Sequence, residues 1–519
     1  MSASTALSLQ ERAYELARQD FEHTIEHLDS EEACSMTHSE LERMLEKKGR
    51  ELMRKLLQEH LDNRSPGKCD EPVCGADGVE RPRIRPQRRK LETVLGTVSV
   101  KRSGYGQEGV ESLHPLDAEL NLPDERYSLE LRRRVAEEAA KSSFEETLES
   151  IGKNTGGHVP KRQVEQLVMR AAQDFDAFYE TRHGTAATDK GVGSVLVTSV
   201  DGKGVAMLTR DLREQTRKAA EARAHKMGKR LSKGEKKNAK RMATVATVYA
   251  VAPFVRTPED VMAEADCILS RTPRPRAEQK RVWASLEKEP DQVIAQALAE
   301  AFHRDPSGEK TWVALVDGNK PQIRHLKRMA KQNDLNLTII VDIVHVIGYL
   351  WSAGRVFHPK SGPELESWVR QRILEVLRGK AGLVAGGMRR SATLRKLADK
   401  AREPVDTCAR YLLTYSPYLL YNRYLAKGWP IASGVIEGAC RHLVKDRMDV
   451  TGARWSLAGA EAVLRLRALR SSRDFDEYWT FHEAREYERN HKALYAGGIV
   501  PPTNASFSTA KRTHLKVIK

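Results

Sequence analysis

The sequence predicts an α/β fold: a buried mixed sheet surrounded by long helical segments. Three observations carry this expectation. Two apolar, β-branched runs, Gly193–Val200 and Lys310–Val316, are each followed at once by Asp-Gly, as buried central strands are where they meet solvent. A third run, Leu335–Val341, follows after about one helix's length and passes into a helix at Asp342. That spacing suits parallel neighbours joined by a crossover. Most of the remaining chain shows apolar residues at helical intervals.

Composition narrows the class. A length of 519 residues suggests about three domains. The formal net charge is +16, from 87 basic and 71 acidic residues. The excess is spread over several segments, which favours a polyanionic partner, nucleic acid first. Six cysteines (Cys34, Cys69, Cys74, Cys267, Cys408 and Cys440) are scattered, and Cys69 and Cys74 form a lone C-x4-C. This pattern fits a reducing cytosol and argues against zinc. The start is charged and helical, unlike a signal peptide, and no apolar run is long enough to span a bilayer. The expectation is a cytoplasmic protein with no membrane partner.

Residues 1–65 read as an N-terminal helical segment. Leu9, Tyr14, Leu16, Phe21, Ile25 and Leu28 recur at helical spacing. Leu41, Met44, Leu45, Leu52, Leu56 and Leu57 continue after Thr37–Glu40, which resembles a capping box. Residues 66–126 read as a basic arm (Arg81, Arg83, Arg85, Arg88, Arg89 and Lys90) leading into a small β-hairpin over 91–105, centred on Gly96. Such a ribbon suits phosphate contacts, and equally a cap on the N-terminal helices.

Residues 127–183 read as three helices, near Ser128–Lys141, Phe144–Ile151 and from Val159 past Met169. A glycine-containing turn precedes the third, which opens with Lys161, Arg162 and Gln163. This fits a helix-turn-helix, whose second helix turns its first residues to base edges. An ordinary helical hairpin fits it as well. Gly184–Asp189 reads as a linker.

Residues 190–360 hold the Asp201, Asp317 and Asp342 strands. Residues 210–241 carry 13 Lys or Arg against 4 Asp or Glu. They include Lys226, Lys229, Arg230, Lys233, Lys236 and Lys237, and Gly228 and Gly234 interrupt any helix there. The stretch reads as a solvated excursion or a phosphate clamp. Thr244–Val255 reads as a strand antiparallel to the Asp201 strand, and 277–286 and 290–302 read as helices. Residues 361–430 read as an all-α insertion. In 431–485 a helix starts after Ser433, with Glu437 in its first turns and Arg441, Lys445 and Arg447 beyond. Residues 486–519 read as a basic tail, disordered after Pro501.

The acidic residues then take on meaning. Asp201 and Asp317 end central strands, and Glu437 opens a helix able to pack beside the sheet. The bland reading is three turn and cap carboxylates. The sharper one is a trio holding two Mg²⁺ ions, which stabilise the attacking and leaving oxygens of a phosphoryl displacement. No G-x-S-x-G elbow and no Walker loop offers another chemistry. Asp342 also ends a strand and competes with Asp317 for the second position.

Several motifs together resemble a known family: Ser199-Val-Asp201-Gly-Lys-Gly, Val316-Asp317-Gly-Asn-Lys, Asp342-Ile-Val-His345, Gly434-Val-Ile-Glu437-Gly-Ala, Asp446–Trp455 and Pro115–Pro123. Over about residues 70 to 480 the chain resembles the bacterial insertion-sequence transposases of the ISKra group, among the Mutator-like DDE enzymes. The resemblance implies a ribonuclease H-like mixed-sheet core with an all-α insertion before the catalytic glutamate, preceded by helical and helix-turn-helix DNA-binding segments. It implies Asp201, Asp317 and Glu437 as catalytic and metal-binding residues, with Mg²⁺ (two ions, Mn²⁺ able to substitute). Asp342 and His345 match a (C/D)-x-x-H motif and stand as supporting or alternative residues.

Lys161, Arg162, Gln163, Arg441, Lys445 and Arg447 are the expected DNA contacts. The implied partners are double-stranded DNA, both element terminal repeats and target, and further copies of the chain as a homodimer or higher oligomer. The implied location is the bacterial nucleoid. The alternatives are a structure-selective nuclease on the same core, or a DNA-binding regulator without catalysis.

Overall fold

The computed structural model describes residues 14–183, 193–222, 239–266 and 273–504. Leu9, the Gly184–Asp189 linker, the basic run from Lys226 to Lys237 with Gly228 and Gly234, and the tail from residue 505 lie outside the described residues. The chain forms two compact units, residues 1–174 with 476–519, and residues 175–475.

The first unit opens with helices Glu15–Leu28, Glu31–Ser35 and His38–Asn63. The Thr37–Glu40 capping box forms, and the Thr37 amide donates to Glu40 at 2.8 Å. Strands β1 (Arg83–Thr93) and β2 (Gly96–Gly106) pair antiparallel from Arg83↔Gly106 to Thr93↔Gly96. The hairpin is therefore longer than the sequence suggested, because the basic arm is itself strand. Leu91, Val98 and Val100 from the ribbon pack on Leu61, Leu116 and Leu122. That burial fixes the ribbon's inner face.

Helices Leu129–Lys141, Phe144–Asn154 and Lys161–Ala171 follow, as the sequence predicts. Ser128 and Ser143 cap the first two through their hydroxyls. The Gly156 amide donates to Val94 at 2.8 Å, and a Cβ at Gly156 would lie 2.4 Å from the Leu95 carbonyl oxygen. Only glycine lets this turn approach the hairpin so closely.

From Asp476 the helix Phe475–Asn490 belongs to this unit. Tyr495, 2% exposed, bridges to Gly75, and the Asn504 amide donates to Lys68 at 2.7 Å. This corrects the expected tail: up to residue 504 the chain folds back, because Tyr495 completes a core with Val73, Tyr105 and Leu113.

The second unit holds a five-stranded mixed sheet in the order β5-β4-β3-β6-β7. The strands are β3 (Val195–Ala206), β4 (Lys240–Val251), β5 (Glu278–Ser285), β6 (Thr311–Val316) and β7 (Leu337–Val341). β3 pairs antiparallel with β4 and parallel with β6; β4 pairs antiparallel with β5, and β6 parallel with β7. Helix Lys320–Gln332 makes the β6-to-β7 crossover.

β5 corrects the expected helix over 277–286. Its Glu-Gln-Lys-Arg start reads as helical, yet Val282 and Trp283 are buried against β4. Pairing and burial outweigh that weak propensity. The region expected as an insertion is all helical, over Pro363–Leu377, Ala381–Leu394, Asp399–Tyr415 and Tyr421–Ala426. Among the described residues no helix is long and apolar enough to cross a membrane.

Candidate functional site

Strand register brings three aspartates level with one another. β3 and β6 pair from Val195↔Thr311 to Ser199↔Leu315, and β6 and β7 end their pairing at Val316↔Val341. Carried two residues on, the first offset sets Asp317 beside Asp201. Carried one residue on, the second sets Asp342 beside Asp317. The Asp342 amide donates to the Val316 carbonyl at 2.8 Å, which holds the last pair in line.

Asp201 is half-buried. Its Oδ1 accepts the Gly202 amide at 2.6 Å, and its Oδ2 lies 3.3 Å from the Cys440 thiol. Burial, then the Asp201 charge, pushes the Cys440 pKa up, so the thiol keeps its proton and donates. Gln322 Nε2 donates to the Val200 carbonyl at 2.7 Å, pinning β3 one residue before Asp201.

Asp317 is half-buried, and its Oδ1 accepts the Asn319 amide at 2.9 Å. An open cavity of about 640 Å³ is lined by Asp201 and Asp317 together with Met242, Asp291, His325 and Arg328. Burial, then the Arg328 charge, lowers the His325 pKa, and Arg328 lies 2.8 Å from His325 Nδ1.

Asp342 is fully buried at the head of helix Ile343–Phe357. Its Oδ1 accepts the Val344 amide at 2.8 Å; its Oδ2 accepts the Ser433 amide at 3.1 Å and also the Ser433 hydroxyl. Ser433 stands just before the short helix Gly434–Ala439, which carries Glu437. The chain then winds as a π-helix over Cys440–Lys445, a form that recurs at functional positions. Asp342, His345 and Glu437 each offer a ligand atom within 4.8 Å of the other two, the spacing of donors around one cation. Glu437 and His345 are exposed.

A second group with such spacing, Asp174, His482 and Glu486, is buried in the other unit. Its oxygens face Arg132 and Arg489, so it reads as a compensated ion network.

The expected DNA contacts divide. Lys161 and Arg162 are exposed at the start of their helix, Gln163 is half-buried, and Lys161 pairs with Glu145. Arg441 and Lys445 are exposed. Arg447 is 3% exposed, with its guanidinium 4.8 Å from the Trp455 ring centroid. That packing corrects the expectation for Arg447, which offers no open face to a phosphate. Trp455 is likewise buried.

The sequence assigns no site role to Cys440 or Gln322 and marks Ser433 only as the start of a helix. Cys440 had a usable signal: it stands three residues after Glu437, on one helical face. Ser433 and Gln322 act through contacts of high sequence separation and carried no such signal. No family model and no curated protein matches the chain.

Proposed function

We propose that the chain is a DDE-type transposase, cleaving the ends of an insertion sequence and joining them to target DNA. The observation that carries the reading is the level row of Asp201, Asp317 and Asp342, with the Glu437 helix bound to its edge through Asp342 and Cys440. The strand order, three antiparallel strands and then two parallel ones, supports a ribonuclease H-like core. The helical insertion then falls between the sheet and the glutamate, as in such an enzyme.

Asp201, Asp317 and Glu437 would hold two Mg²⁺ ions, with Mn²⁺ able to substitute. The donors are carboxylates, the hard oxygen ligands such ions take; Asp201 and Asp317 line one open cavity, while Glu437 has its metal-spaced neighbours in Asp342 and His345. Bound ions would supply charge stabilisation to the attacking and leaving oxygens. Asp342 is assigned a supporting role, since its Oδ1 accepts the Val344 amide of its own helix and its Oδ2 accepts from Ser433, which fixes the start of the Glu437 helix. His345 stands beside Glu437 and supports the same edge.

In the first step a water oxygen bonds to phosphorus and the bond to the 3′-oxygen breaks. The 3′-oxygen takes a proton and leaves as a hydroxyl, and the flank keeps the phosphate. In the second step the oxygen of that hydroxyl, giving up its proton, bonds to a target phosphorus, and the bond to the target's own 3′-oxygen breaks, that oxygen leaving as a hydroxyl. Asp201 and Asp317, steadied by Gly202, Cys440 and Asn319, hold one geometry for both steps.

Lys161, Arg162 and Gln163 would meet the terminal repeats, and Arg441 and Lys445 the backbone near the cleaved bond. Joining two ends calls for a homodimer or larger assembly, acting in the cytoplasm on nucleoid DNA. The test uses labelled duplexes from the DNA flanking the chain's own coding sequence, a target plasmid and Mg²⁺. Joined product supports the reading, whereas cleavage without joining points to a nuclease and binding alone to a regulator.

A further inference from the structure

Side chains of the helical insertion hold the ends of the acidic strands. The Tyr411 phenol donates to the Asp317 carbonyl at 2.9 Å, Tyr415 to the Gly318 carbonyl, and Tyr421 to the Val341 carbonyl at 2.6 Å. Tyr411 and Tyr415 sit one turn apart at the end of helix Asp399–Tyr415, and Tyr421 opens the next helix. The three acceptors are the two residues of the Asp317–Gly318 turn and the residue just before Asp342. At a strand end the ladder stops, and carbonyls otherwise turn to water.

The fit is close on every side. Tyr415 is 7% exposed and Tyr421 0%. Burial raises the pKa of all three phenols, so each stays a donor. The Tyr411 ring stacks on Tyr349 with centroids 4.1 Å apart. Gly318 has φ +94°, and a Cβ there would lie 2.8 Å from the Tyr411 hydroxyl oxygen. The turn therefore needs glycine both for its backbone and for the phenol above it.

We propose that Tyr411, Tyr415 and Tyr421 are positioning residues that tie the backbone at Asp317 and just before Asp342 to the insertion and thereby set the site's cation affinity. The inference rests on the reading that Asp317 is a metal ligand. With its own carbonyl and the next one pinned, the Asp317 carboxylate moves only through its side-chain torsions. A cation demanding near-octahedral geometry loses affinity when one ligand drifts. The insertion is then part of the metal site's frame.

The test measures Mn²⁺ binding by the full-length chain, by the electron paramagnetic resonance of free Mn²⁺, alongside thermal melting without metal. The variants are Asp317→Asn, Tyr411→Phe, Tyr415→Phe, their double, and Tyr424→Phe as control. Tyr424 is a buried insertion tyrosine whose ring stacks on Trp429. The double should weaken Mn²⁺ binding about 10-fold, the scale of lost supporting contacts, with each single intermediate and Tyr424→Phe at the wild-type value.

If the double does not fold, the two singles decide by the same comparison. Wild-type affinity in folded Tyr411→Phe and Tyr415→Phe overturns the inference, as does an equal loss in Tyr424→Phe, which would indicate general loosening. Wild-type affinity in Asp317→Asn, or no Mn²⁺ binding by the wild type, overturns the underlying metal reading instead.

Discussion

The carboxylate of Asp342 and the backbone amide of Ser433 meet at 3.1 Å across 91 residues of sequence, and the Ser433 hydroxyl donates to the same oxygen. The contact bolts the end of β7 to the start of the Glu437 helix. Ser433 stands at the N-cap position, yet its hydroxyl does not cap the helix. A capping contact worth about 1 kcal/mol is forgone in favour of a bond to a buried carboxyl group.

Asp342 and Asp317 should therefore fail differently. Asp342→Ala leaves the Val344 and Ser433 donors unpaired and should cost about 2–3 kcal/mol, a drop of several degrees in melting temperature. Asp317→Asn keeps shape and should melt within a degree or so of wild type. It should nevertheless lose at least about 100-fold in DNA cleavage, about 2.7 kcal/mol of transition-state stabilisation. Melting curves and single-turnover cleavage separate the two. Unchanged melting in Asp342→Ala would remove its supporting role.

Basic side chains should sort by exposure. Replacing exposed Arg441 and Lys445 by alanine should weaken binding to duplex DNA and flatten its dependence on log salt, by about 0.9 per lost phosphate contact. Arg447→Ala should leave that slope unchanged and lower stability, since its guanidinium packs on Trp455. Fluorescence anisotropy over a salt series reads the slope.

Cys440 should resist alkylation. Its pKa is raised first by burial and then by Asp201, so the thiolate that reacts with iodoacetamide is scarce at pH 8. Exposed Cys34 should label under the same conditions. Mass spectrometry of the native protein reads both sites, and fast labelling of Cys440 would contradict the thiol–carboxylate contact.

Acid should loosen the first unit through Asp174. Burial alone would raise its pKa, but hydrogen bonds from His482 and Arg489 outweigh that and lower it to about 2 from 3.8. A depressed carboxylate contributes stability that is present above the unfolded value and lost as pH falls through the folded one. The loss should therefore run from about pH 4 to about pH 2 and amount to roughly 2 kcal/mol. Denaturant titrations of wild type and Asp174→Asn at stepped pH should show a shallower dependence in the variant, since Glu486 in the same network also has a lowered pKa.

Much of this was legible in the chain because it depends on local pattern. The Asp317 and Asp342 strands are apolar runs cut off by a carboxylate, and the Thr37–Glu40 cap sits within one helical turn; the Asp201 strand, expected to end at its carboxylate, instead runs on to Ala206 because β4 pairs with it that far. What stayed hidden depends on distant partners. β5 opens with helix-favouring residues and becomes strand because β4 offers Ala246 and Thr247 to Trp283 and Val282. Arg447 looks like its exposed neighbour Lys445, yet it is buried with its guanidinium against the Trp455 ring. Ser433 and the insertion tyrosines act on residues about 80 to 97 positions away, which no local periodicity encodes.

The most direct measurement is strand transfer by Asp201→Asn, Asp317→Asn and Glu437→Gln, beside wild type, on labelled duplexes flanking the coding sequence with a target plasmid and Mg²⁺. The account predicts joined product from the wild type alone, with all three variants still binding the duplex at wild-type affinity. Joining by any of the three at the wild-type rate, or by the wild type without a divalent cation, would contradict it.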